Sequence, residues 1–64
     1  MNIKKYRKQA NLSQVEVACK LGMTQQAYSY KEMGDRKFTI DEAFKLEEVL
    51  GVSIYELFED LKKL

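Results

Sequence analysis

Histidine and proline are absent from this chain, and cysteine occurs once, at Cys19. A lone thiol forms no internal disulfide, which points to a reducing, cytoplasmic compartment. With no histidine and one sulfur there is no cluster of the kind that holds a metal, and no cofactor is expected. Hydrolytic or redox chemistry would fall to carboxylates, lysines and tyrosines alone, in a chain with little room for a pocket. The composition therefore argues against an enzyme and shows no small-molecule ligand site. Also missing is any apolar run near the roughly 20 residues that span a bilayer, so no membrane partner is expected. Met1 opens directly on an amphipathic pattern, without the apolar stretch of a signal peptide.

What is present is an ordinary globular balance, with 45% hydrophobic and 33% charged residues. The 64 residues make one domain, 1–64, near the lower limit at which a single core is stable without staples. The net charge of +1 conceals an asymmetry. Residues 1–40 carry eight basic and three acidic side chains, a balance of +5, whereas residues 41–64 carry three basic and seven acidic, a balance of −4. Such a division suits a polyanion bound on one face. Two ordinary solvated helix faces explain it equally well on charge alone.

Helix punctuation decides the architecture. Ser13 with Glu16 and Thr39 with Glu42 read as capping boxes, and Ser53 with Glu56 repeats the pattern. Leu12 with Val17, and Val52 with Leu57, stand where hydrophobic staples belong. Thr24 reads as an N-cap with Met23 and Tyr28 as its staple, although Ala27 stands where a box wants Glu. Asn11, Gly22, Gly34 and Gly51 occupy the left-handed positions that end helices. The expectation is an all-α domain of five short helices, at about 2–10, 14–21, 25–33, 40–50 and 54–62, without a strand. Spacings of three and four assign one shared core. Its members are Ile3, Tyr6 and Ala10; Val17, Ala18 and Leu21; Met23 and Tyr28; Ile40, Ala43, Phe44, Leu46, Val49 and Leu50; and Ile54, Leu57, Phe58 and Leu61.

Between Leu21 and Thr24 lie only Gly22 and Met23, so the second and third helices must cross steeply. Ala18 is small enough to let their backbones approach, and Gly22 supplies a turn with positive φ. This is the arrangement of a helix-turn-helix at 14–33, whose second helix fits a major groove.

From about Ile3 to Phe58 the chain resembles the Cro/CI (XRE-type) helix-turn-helix domain of phage repressors and small bacterial or mobile-element regulators. The resemblance rests on Tyr6-Arg7, Leu12-Ser13-Gln14, Ala18 and Leu21-Gly22-Met23-Thr24. It continues through Gln25-Gln26, Ser29, Glu32, Gly34, Arg36 and Leu50-Gly51-Val52-Ser53. It implies a compact, lambda-repressor-like five-helix fold and a sequence-specific, double-stranded-DNA-binding transcriptional regulator, most simply a repressor. It also implies a structural ion pair between Arg7 and Glu32, and a Gln14 that binds the DNA backbone while bracing Gln25.

The recognition helix then begins with two amides. A glutamine side chain can donate to N7 and accept from N6 of adenine at once, so Gln25 and Gln26 are the expected base readers, followed by Ser29 and Tyr30 on the same side. Thr24 at the helix N-terminus, Lys31, and Arg36 with Lys37 in the next loop are expected to hold phosphates, together with Gln14. Tyr55, Phe58, Leu61 and Leu64 form a candidate dimer surface; alternatively they seal the monomer. A homodimer would match a pseudo-palindromic operator.

Three positions depart from the family pattern. Lys31 replaces a large apolar residue, so its stem is expected to fill that place while the ammonium snorkels out. Glu47 replaces a small apolar residue and puts packing of the fourth helix in doubt. Phe38 replaces a frequent proline and is expected to staple the fourth helix. Cys19 is expected half-buried. A rival reading is a helical protein-interaction module, antirepressor- or antitoxin-like, that docks a partner on the acidic half.

Overall fold

The chain caps its second to fifth helices with a hydroxyl at each N-terminus, whereas Asn2 before the first makes no side-chain capping bond. In the computed structural model, which describes residues 1–59, Ser13 Oγ and Thr39 Oγ1 each accept an N–H three residues on, at 3.1 Å. Glu16 and Glu42 return the bond to the Ser13 and Thr39 backbones at 2.9 Å, closing both boxes. Thr24 caps through Ala27 N–H at 3.1 Å, and Ser53 through Glu56 N–H at 3.3 Å. Each such cap is worth about 1 kcal/mol. The helices are α1 Ile3–Gln9, α2 Gln14–Leu21, α3 Gln25–Met33, α4 Ile40–Leu50 and α5 Ile54–Leu57.

Helix ends follow the same logic. Asn11 has φ 59°, and Gly22, Gly34 and Gly51 have φ 73°, 92° and 68°. At the α2–α3 corner the positive φ of Gly22 lets Met23 N–H return to the Ala18 carbonyl at 3.0 Å. Two helices are thereby joined by three residues, Gly22, Met23 and the cap Thr24.

Ile3, Val17, Ala18, Leu21, Tyr28, Leu46, Leu50 and Leu57 form the buried core, with Tyr6, Leu12, Met23, Phe38, Val49, Val52 and Phe58 packed around it. Burying each large apolar side chain contributes about 1.5–3 kcal/mol. The chain start is fastened to α5. Asn2 N–H donates to the Leu57 carbonyl at 3.0 Å, and Tyr6 Oη donates to Glu56 at 3.2 Å.

Several expectations are corrected. Ala10 is exposed at the C-cap of α1 rather than buried. Ile40 and Phe44, assigned to the core, are 75% and 52% exposed. The stripe of α4 that faces inward runs through Leu46 and Leu50, and Ile40 with Phe44 lies on the adjacent stripe. Cys19 is exposed, because α2 turns Val17, Ala18 and Leu21 inward. The fifth helix ends at Leu57, short of the expected range. Phe58 leaves helical geometry at φ −118°, ψ 80°, and its ring meets Phe38 edge-on, with centroids 5.8 Å apart. Residues 60–62 of that expected helix lie outside the described residues. Glu47 does not disturb α4: its carboxylate accepts from Ile54 N–H at 3.0 Å and satisfies an open donor at the start of α5. Among the described residues no helix is long and apolar enough to cross a membrane.

Candidate nucleic-acid interface

The exposed side of α3 is defined by what its other side is committed to. Tyr28 is fully buried, and four residues further along the same face Glu32 turns back into the domain. Arg7 meets Glu32 with one edge of its guanidinium, Nε to Oε2 at 2.8 Å and Nη2 to Oε1 at 3.1 Å. Tyr28 Oη donates to Oε2 at 2.5 Å, and Gln14 Nε2 donates to Oε1 at 3.1 Å. The remaining Arg7 nitrogen, Nη1, donates to the Leu12 carbonyl at 2.9 Å. This closed network ties α1, α2 and α3 together.

The electrostatics agree with the geometry. Burial by itself would raise the Glu32 carboxyl, but hydrogen bonds from Arg7, Tyr28 and Gln14 outweigh it and hold the group below its ordinary value. Arg7 is pushed up, chiefly by its hydrogen bond to Glu32. The Tyr28 phenol is raised by burial and by the adjacent carboxylate. The only acid of α3 is therefore ionised, neutralised by Arg7 and turned away from solvent.

Gln25 and Gln26 lie exposed in the first turn of α3, with Ser29 and Tyr30 one turn on. Gln26 Nε2 donates to Tyr30 Oη at 3.4 Å, and Ser29 Oγ contacts Met33 Sδ at 3.8 Å. Arg36 lies over the Tyr30 ring, 5.3 Å from its centroid. Thr24, Gln26, Tyr30 and Arg36 share one shallow polar depression with Ala27. Lys37 is exposed beside them in sequence and lines the rim of a separate, apolar groove.

Two expected phosphate ligands are placed differently. Lys31 does not snorkel: its ammonium bonds both Glu42 oxygens, at 2.7 and 2.9 Å, with both side chains largely covered. Burial would raise the Glu42 carboxyl, but the bonds from Lys31 prevail and lower it. Glu42 already closes the α4 capping box, so it stands ready for a cation from α3. Gln14 braces Glu32 rather than Gln25.

The candidate dimer surface is also redrawn. Tyr55 is 56% exposed, whereas Phe58 packs against Phe38 as part of the monomer. Leu61 and Leu64 lie outside the described residues. The exposed apolar surface that sequence reasoning missed is a groove of about 470 Å³ between Met1, Phe38, Ile40, Phe44, Ile54 and Phe58. The one signal for it was that α4 carries more apolar residues than a single inward stripe accommodates.

Comparison with known proteins adds to this geometry. A family model described as helix-turn-helix matches residues 3–57. A Bacillus subtilis (strain 168) protein named uncharacterized HTH-type transcriptional regulator YqaE is 40% identical over 53 residues, covering 83% of this chain and 46% of its own length. The chain thus spans about half of that relative. No solved structure matches.

Proposed function

The chain belongs to the Cro/CI-type helix-turn-helix family, and from that premise we propose that it is a sequence-specific regulator that lays α3 in the major groove of double-stranded DNA. The observation that carries this reading is the division of α3 into two faces. One side is locked to the body by Tyr28 and Glu32, and the other presents Gln25, Gln26, Ser29 and Tyr30 beside Arg36. Recognition helices read bases mainly with their N-terminal residues, which here are the two amides. Adenines are their natural partners, through N7 and N6.

Phosphates frame the helix. The first-turn N–H groups of α3, Thr24, Arg36 and Lys37 supply donors and positive charge on the two sides of the reading face. Lys31 and Gln14 act inside the domain, where they hold Glu42 and Glu32. The sequence resemblance to phage repressors supports a repressor that occupies an operator, acting on DNA inside the cell. A two-fold dimer on a pseudo-palindromic site completes the reading. The apolar groove beside exposed Ile40 and Phe44, with Tyr55, is the surface proposed for the second copy.

Substitution separates the two kinds of contact. Gln25→Ala and Gln26→Ala are expected to relax preference at particular base pairs, by about 1–3 kcal/mol each. Arg36→Ala and Lys37→Ala are expected to weaken all duplexes alike and reduce the salt dependence by about one counterion each. Unchanged base preference in both glutamine variants would remove α3 from the reading role.

A further inference from the structure

The reading face of α3 is mechanically coupled to the loop that follows it. Gln26 and Tyr30 are one turn apart, and Gln26 Nε2 donates to Tyr30 Oη at 3.4 Å. The loop then folds back over the same tyrosine. Beyond Gly34, the N–H groups of Asp35 and Arg36 both donate to the Tyr30 carbonyl, at 2.9 and 3.3 Å. That return brings the Arg36 guanidinium over the Tyr30 ring.

We propose that Tyr30 is a positioning residue that sets the Gln26 amide for adenine and against guanine, with Arg36 holding Tyr30 in place. The proposal rests on the DNA-reading assignment above and deepens it. Its basis is donor count. A glutamine amide carries two N–H donors and one acceptor oxygen. In the major groove guanine presents two acceptors, N7 and O6, whereas adenine presents the acceptor N7 and a donor at N6. An untethered amide can meet either base, with both its donors or with one donor and its oxygen. Once one N–H is committed to Tyr30 Oη, one donor and one acceptor remain, which is the adenine set. Arg36 contributes a cation over the ring face, 5.3 Å from its centroid, which holds the tyrosine against the loop.

The experiment starts from a duplex enriched by the wild-type protein and from the adenine position that Gln26→Ala relaxes. The ratio of affinities for adenine over guanine at that position is measured for wild type, Tyr30→Phe, Gln26→Ala and the double variant. Circular dichroism checks each variant for helix content. Tyr30→Phe keeps the ring and removes Oη, and is expected to lower the ratio about fivefold. Added to Gln26→Ala, it is expected to lower the ratio no further. Arg36→Ala, which removes the cation over the ring, is expected to lower it as well. Equal losses in both backgrounds would mean that Tyr30 touches the DNA itself, and an unchanged ratio in Tyr30→Phe would mean that the tether positions nothing; either overturns the proposal. No enriched duplex at all would overturn the DNA-reading assignment, and the coupling with it.

Discussion

Glu32 is the residue on which most of the architecture converges, since it receives bonds from Arg7, Gln14 and Tyr28 on three helices. Removing one partner of such a buried pair leaves the other charge stranded, at about 3–5 kcal/mol. A core of this size rarely supplies more than about 3–5 kcal/mol. Glu32→Ala is therefore expected to leave the domain largely unfolded at room temperature, which urea titration would reveal as a collapsed midpoint. The same groups set the pH range of stability. Glu32 and Glu42 have folded values below the ordinary 4.5, so their contribution is complete above that pH and is lost as pH falls through the folded values. Tyr28 is raised above 10.0, so its contribution is complete below that pH and is lost as pH rises toward the folded value. With no histidine in the chain, thermal melts are expected to show a plateau between these limits. A sharp loss of stability near neutrality would contradict this assignment. At this scale the sequence was readable in part. Arg7 with Glu32 followed from family resemblance, but nothing local announced Lys31 with Glu42, because a cross-element pair depends on how α3 and α4 pack. Gln14 was misdirected toward Gln25 for the same reason.

Helix boundaries were the most legible feature, because capping is a local transaction between residues three apart. The hydroxyls of Ser13, Thr24, Thr39 and Ser53 and the four left-handed stops all stand where the chain pattern puts them. The failures lie where a helix has a choice of faces. The α4 pattern contains two apolar stripes, and only contact with α2 and α5 selects Leu46 and Leu50 over Ile40 and Phe44. At the end of α5 the Phe58 ring likewise packs on Phe38, which is remote in sequence. The α2–α3 corner gives the prediction at this scale. Gly22 has φ 73°, and a Cβ added there would meet no atom within 4 Å, so the cost of Gly22→Ala is conformational rather than steric. A loss of about 1–2 kcal/mol is expected in chemical denaturation. No loss would mean that the corner does not require a left-handed residue.

Taken as a whole molecule, the domain segregates its tasks. One surface carries amides and arginine at the start and end of α3, and another carries an uncovered apolar groove bounded by α4 and α5. The charge asymmetry visible in the sequence is consistent with this division, although part of it is consumed internally by Arg7 and Lys31. Phe44→Lys tests the second surface. Because Phe44 is about half exposed, the substitution is expected to cost no more than about half of the 1.5–3 kcal/mol of a fully buried side chain. It is expected to weaken self-association, as read by sedimentation over a concentration series; unaltered association would place the dimer contact elsewhere. The central claim, that α3 reads DNA, is tested most directly by selection from a random duplex pool at low and near-physiological salt. The account predicts enrichment of a two-fold symmetric site with adenines in each half, the halves about one helical turn apart. No enrichment at either salt would contradict it and direct attention to a protein partner on the acidic, groove-bearing half.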